Sequence, residues 1–550
     1  MKTKLIHLIA AVMIGIVHAA AQNPEMSQLM KRAASGDYDA RMRMAVASMT
    51  GDGTDKNEEQ GSYWLQKAAE KADPEAWYHL GACYLSERGV SRDIQKGLEY
   101  ISRSAEAGFA PAQALLGLMY FYGNRYEYVS EQMKYRPYDI PDMLKGELIR
   151  AGYYRIRYND SEQNIPVDRS LGIYWLTEAA NRQDNSALYE LALIYWDGEE
   201  GIEPDKQQAY RLMRIAAENG MGIAAREIAA WYKNGIDGMT EPDTGLAFEW
   251  YLKAAECGDV SSMCWVGEYY SGKVESPVEP DADKMIEWYR KAAEYPYPDI
   301  DGYDLWAQRK LGYIYRDGLH VQPDMAEAAK WLRMAAERDD AEAQYALADL
   351  YDDPKYGIKD SGKAIFWYKK SADNGYTAAM VNLSLKYLNG DGVAKNEQAA
   401  LEYMSRAADA GSAMAITNMG VFYWNGYGCT ADRQKAIELC IKAGDMGFAA
   451  GYLKAGQFYD LLAQSEQNRK AKRELEQYAF AYTEKAARMG DADAQCYLSA
   501  KYSLGQGCKE NRDMQFYWLK KAMAQGHQEA TELYNKLREI ARQYNQPWRW

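Results

Sequence analysis

An all-α solenoid of about twelve stacked helical hairpins is the fold this 550-residue sequence predicts. Three observations predict it. A unit of roughly 36 residues recurs in register along nearly the whole chain. Within each unit a small residue stands three positions before an aromatic, which puts both on one helical face. An Asp or Asn then stands seven positions before the aromatic or leucine of a second segment, where it can accept from the free N–H groups of a helix's first turn. A fixed period argues for one long repeat domain, and 47% hydrophobic residues give it ample material to pack.

Residues 1–21 read as a secretory signal peptide. Lys2 and Lys4 are a basic start, Leu5 to Val17 is an apolar run too short to span a bilayer, and Ala19-Ala20-Ala21 is a small-residue cleavage site. The expectation is an exported protein, periplasmic or secreted after cleavage near Ala21, with no integral membrane span. Residues 22–38 follow as a lead-in or capping helix, 39–526 as the solenoid with an insertion over 123–165, and 527–550 as a terminal capping helix and tail.

The unit from Thr377 to Ser412 serves as the reference. Its aromatic, Tyr387, has counterparts from Tyr84 and Tyr120 through Tyr459 and Tyr502, with Ser48 in the first copy. Three residues earlier stands Ser384, matched by Gly81, Gly117, Gly267, Gly312, Gly420 and Gly456 among others. A partner helix can approach closely over such a residue while the ring fills the gap beside it. The second helix opens at Asn57, Asp93, Asp168 and their counterparts to Asn511, with prolines such as Pro204 and Pro323 keeping the preceding chain non-helical. The eleventh copy departs from this, with Leu475 in the cap position; a charged insertion around Ser465 to Glu476 is expected to extend a helix, so that no cap is needed at Leu475. Glycines such as Gly390 and Gly392 fit a tight turn, and Gly258, Gly375 and Gly411 end second helices.

The order small residue, Tyr, glycine turn, Asp or Asn cap, Trp-Tyr as in Trp250-Tyr251, then Lys-Ala-Ala as in Lys253-Ala254-Ala255, resembles the Sel1-like repeat, a relative of the tetratricopeptide repeats. The likeness covers about Asp39 to Gly526. It implies a right-handed superhelix of hairpins, used as a scaffold that holds other proteins. Cysteine-rich members of that family staple adjacent helices, and by this likeness Cys257 and Cys264 are the candidate disulfide.

Function is expected where the period breaks. The third copy holds 39 residues more than the reference between its two helices, and Gly123 to Ile165 carries seven tyrosines with seven basic and seven acidic residues. Tyr126, Tyr128, Tyr135, Arg136, Tyr138, Tyr153, Tyr154, Arg155 and Arg157 are the candidate binding residues, since rings and guanidinium groups carry energy at contact surfaces. A loop folded back over the solenoid is the plain alternative.

The formal charge of −14 excludes the basic footprint of a nucleic-acid or anionic-membrane binder. Past the signal peptide only His79, His320 and His527 remain, each in a different copy, so neither a metal nor a histidine-based catalytic centre is expected, and no cofactor. Some proteins with this repeat are linked to penicillin binding, yet no Ser-x-x-Lys occurs here. The reading is a non-enzymatic protein-interaction scaffold or adaptor of a bacterial-type cell envelope. Its client would be a protein or peptide on the concave face, helped by the tyrosine-rich insert. Glycan or peptidoglycan binding through aromatic stacking is the second reading, and an envelope hydrolase of penicillin-binding type a weaker third.

Overall fold

The computed structural model describes residues 24–123, 167–199, 201–236, 240–295, 302–319 and 321–543. These form α-helices and connecting turns, with isolated bridges but no strand among the described residues. The chain divides into two compact units, residues 1–307 and 308–550, the division falling within the helix Tyr303–Asp317. In each unit the helices alternate as A and B members of successive hairpins, for instance Pro74–Ser86 with Ile94–Glu106 and Thr377–Asn389 with Glu397–Asp409. The lead-in helix Pro24–Ala34 buries Met26, Met30 and Ala33 in the same cluster as Met42, Met49 and Trp64.

The cap residues do two jobs at once. Asn396 accepts from the Ala399 N–H at 3.0 Å, satisfying a donor of the B helix, while its own N–H donates to the Tyr387 carbonyl at 2.8 Å. The second bond closes the hairpin into a ring. Among the described residues it recurs in eleven copies at 2.6–3.1 Å, from Asn57 to Ser48 through Asn511 to Tyr502. The aromatic also stacks on the B helix: Tyr84 on Tyr100, Tyr387 on Tyr403 and Tyr459 on Tyr482, with centroids 5.9, 5.8 and 5.7 Å apart. Aromatics and caps are thereby consumed in forming the hairpin.

The eleventh copy needs no cap at Leu475, as expected, because that residue lies inside a longer B helix that is capped further upstream. Its A helix runs to Ser465 and its B helix, Arg469–Arg488, is 20 residues long. Asn468 caps it, accepting from the Lys470 and Ala471 N–H groups at 3.0 and 3.2 Å. The insertion does lengthen the helices, and the cap has moved two turns upstream of Leu475 with the longer B helix.

The small residue of the A helix sits where the two helices of a hairpin cross. A Cβ on Gly81 would lie 3.0 Å from the Gly97 carbonyl oxygen, and one on Gly97 3.1 Å from that of Gly81. The third copy repeats this reciprocal contact at 3.0 and 2.9 Å with Gly117 and Gly172. The Asp168 N–H also donates to the Tyr120 carbonyl at 2.9 Å, as Asp93 does to Tyr84 at 3.1 Å. The third hairpin is therefore complete on both sides of its insertion. The insertion's candidate residues Tyr126, Tyr128, Tyr135, Arg136, Tyr138, Tyr153, Tyr154, Arg155 and Arg157 lie outside the described residues.

At four joints between neighbouring copies the A helices pair chemically matched residues. The residue after the aromatic in one copy meets the residue before the aromatic in the next. Trp196 stacks on Trp231 with centroids 4.0 Å apart, and Trp424 on Phe458 at 4.1 Å. Where the first residue is Asp, the second is Lys: Lys386 bonds Asp352 at 2.6 Å, and Lys501 bonds both oxygens of Asp460 at 2.7 and 2.6 Å. Ring faces ring and charge faces countercharge, which penalises a slipped stacking register by leaving a buried charge against an apolar surface.

Candidate functional site

A helices that spend their aromatics, small residues and caps on the hairpin have one row of positions left for other work. In residues 308–391 that row is polar and rich in tyrosine. Arg309 pairs with Asp340 and reaches Glu342 at 3.3 Å, and the Tyr313 hydroxyl donates to Glu342 at 3.2 Å. Arg316 forms a bidentate pair with Asp317 at 2.7 and 2.8 Å, its guanidinium carbon 4.9 Å from the centre of the Tyr313 ring. In the next copy Tyr345 packs on Tyr376 with centroids 5.1 Å apart and accepts from Asn382 of the copy after it at 3.3 Å. Lys386 ends the row, bridging Asp352 and Asp391 at 2.6 and 2.8 Å.

Most of these side chains are half-buried by their neighbours and still reach solvent; Lys386 is buried, and Asp317 and Asp391 are exposed. Tyr313, Asp349 and the exposed Leu385 share one register position, two before the aromatic, in three consecutive copies. Burial raises the Asp349 carboxyl above the ordinary aspartate range, with the Arg316 charge opposing the rise. Burial alone would lower the Lys386 ammonium, but its hydrogen bonds to Asp352 and Asp391 outweigh that and raise it. The arrangement suits recognition of polar, planar and charged groups of a macromolecule, with guanidinium and phenol groups already oriented.

Nothing about the thiols prepares them for attack. Cys257 and Cys264, the disulfide pair implied by the family likeness, are both free, as are the other five cysteines. Cys257 caps the C-terminus of the helix Thr244–Glu256, whereas Cys264 is buried inside the helix Val260–Tyr270 with its thiol 3.5 Å from the Tyr303 carbonyl. Burial pushes the thiols of Cys83 and Cys440 up to about 12 and raises those of Cys257, Cys429, Cys496 and Cys508. A thiol held protonated is a poor nucleophile. Two stretches with phosphate-loop-like spacing, Gly267 to Lys273 and Gly357 to Lys363, fall on repeat geometry, with Gly267 inside a helix under Tyr289 and Gly357 at a turn.

The sequence reading placed a client on the concave face but named residues only in the insertion, so the row between Arg309 and Lys386 was not among its candidates. The pairs that join its copies link residues 29 to 37 apart, so no local spacing announces them. The one available signal is Asp349, at an A-helix position where other copies carry Val46, Ala82, Ala230, Val421 and Ala500.

Among the described residues no helix is long and apolar enough to cross a membrane. The family model of the Sel1 repeat matches thirteen segments: 39–73, 74–109, 110–131, 150–184, 185–221, 222–259, 260–294, 307–340, 341–376, 377–412, 413–448, 471–491 and 492–527. Segments 110–131 and 150–184 are the two halves of the interrupted third hairpin, so thirteen segments make twelve hairpins. The crystal structure of c5321, a protective antigen of uropathogenic Escherichia coli strains displaying an SLR fold, is similar with a TM-score of 0.56. That likeness covers 94% of this chain and 90% of that one at 24% identity, and speaks to the fold.

Chitin synthase regulator SKT5 of Saccharomyces cerevisiae is 27% identical over 223 residues, which is 39% of this chain and 32% of that protein. Chitin synthase regulatory factor 3 of Schizosaccharomyces pombe is 27% identical over 211 residues, 36% of this chain and 22% of that protein. The chain thus spans a third or less of the length of these curated relatives. With matched repeats over well more than half of its length, each realised as a helical hairpin wherever the residues are described, the chain belongs to the Sel1 repeat family.

Proposed function

We propose that this chain is a non-enzymatic adaptor that holds a protein or peptide client against the A-helix row between Arg309 and Lys386, on the concave face of the repeats. The observation that carries this is the contrast between positions. Repeat-defining residues are spent on hairpin closure and stacking, whereas Arg309, Tyr313, Arg316 and Tyr345 make polar contacts that hairpin formation does not require. Curated relatives named as regulators of a synthase favour a protein that works by engaging another protein. The tyrosine-rich insertion, leaving a hairpin that is complete without it, would supply a second contact to the same client. The sequence of residues 1–21 favours a setting in a bacterial-type cell envelope after export. Glycan binding is less favoured because tyrosines such as Tyr387 and Tyr403 already stack on each other.

Capture from an envelope fraction tests this. The intact chain should retain a defined client, and Arg316→Glu with Asp349→Arg should reduce that retention at least tenfold while circular dichroism stays unchanged. Excision of residues 124–166 should weaken capture without altering the helical signal. An unchanged client list with both variants would refute the assignment to this row and to the insertion.

A further inference from the structure

Three ligand-type side chains meet where the last hairpin joins the terminal helix. Cys496 lies on the A helix Ala492–Leu504, His527 immediately precedes the terminal helix Gln528–Gln543, and Glu529 sits in that helix's first turn. Their ligand atoms all lie within 4.8 Å of one another. We propose that Cys496, His527 and Glu529 form a zinc site that clamps the terminal helix to the last hairpin.

The donor set fits the ion. Thiolate sulfur, imidazole nitrogen and carboxylate oxygen are the ligands zinc takes, at roughly 2.0–2.3 Å, which places donors of a tetrahedral site about 3.3–3.8 Å apart. The three ligand atoms would have to close from within 4.8 Å to that spacing, with the imidazole turning off the Ala530 N–H. Cys496 and His527 are half-buried and Glu529 is exposed, so one side of the site is open for entry and for a water in the fourth position.

The histidine is already oriented. Its Nε2 lies 2.9 Å from an Asp493 carboxylate oxygen, and its Nδ1 accepts the Ala530 N–H at 3.1 Å. This pair of bonds sets the tautomer, with the proton on Nε2 and the lone pair on Nδ1. A zinc-bound histidine is most often held by such a carboxylate on its other ring nitrogen, and Asp493, one helical turn before Cys496, takes that role. The lone pair faces the N-terminal turn that carries Glu529. A metal at Nδ1 would displace the Ala530 N–H and leave that helix-terminal donor to water. Beneath the site, Ala530, Leu533 and Leu537 pack with Cys496, Phe516 and Leu519, so the clamp would reinforce an apolar seam that exists without it.

The test titrates the full-length chain, freed of metal by a chelator, with zinc ions alone, using calorimetry for stoichiometry. Cobalt substitution, read by its thiolate charge-transfer band, reports the sulfur ligand. One ion per chain is expected, with affinity falling about 100-fold in Cys496→Ser and in His527→Asn, and about 10-fold in Asp493→Asn. Asparagine can still cap the terminal helix, which keeps the His527 variant folded. Cys508→Ser should bind as the wild type does. No uptake by the wild type, or undiminished binding in Cys496→Ser or His527→Asn, overturns the proposal.

Discussion

Replacing Lys501 with methionine should cost about 3–5 kcal/mol, the usual penalty for leaving one member of a buried ion pair alone. The Lys501 side chain is 2% exposed and holds both oxygens of Asp460, which also accepts from the Tyr497 hydroxyl at 2.9 Å. In a stack of repeats such a loss is felt by nearest neighbours and not by the whole array. Hydrogen exchange should accelerate on the order of a hundredfold or more across residues 492–543, while residues 377–445 keep their rates. The double variant Asp460→Trp with Lys501→Phe installs the pair seen at Trp424 and Phe458 and should recover most of the loss. If the double variant is no better than the single, matched pairs are not what joins the copies.

Gly117→Val should be nearly as damaging. A Cβ there would lie 2.8 Å from the Leu176 backbone nitrogen and 3.0 Å from the Gly172 carbonyl oxygen, neither of which can yield by changing rotamer. The expected cost is about 3 kcal/mol, at the upper end for overpacking. Gly375 offers the comparison. Nothing lies within 4 Å of its Cβ position, but its φ is +88°, so Gly375→Ala should cost only the roughly 1–2 kcal/mol of a left-handed backbone. Denaturant titrations of both variants separate the two effects; equal losses would mean that crossing distance is not what restricts the position.

The hairpin was legible in the sequence because its determinants are local. Ser384 and Tyr387 are three apart, and Asn396 caps through a bond to Ala399, so spacing along the chain reports the contact directly. The joints between copies were not read. Asp460 and Lys501 are 41 residues apart and meet only after a lengthened hairpin has folded between them. Asn468 was missed because the cap was sought at a fixed offset, while the eleventh B helix starts earlier. Cys496, His527 and Glu529 likewise come together only when the terminal helix docks, which no count of histidines along the chain can show. The candidate row was hidden for the same reason, and the insertion drew attention as the largest break in period.

The proposed function requires a client to lie on the A-helix row and not on the B-helix exterior. A photoreactive amino acid placed at Leu385, exposed on the A helix beside Lys386, should crosslink a protein client in the native envelope. The same group at Phe366, which is 52% exposed on a B helix, should not. Crosslinking from Phe366 with none from Leu385 would contradict the account.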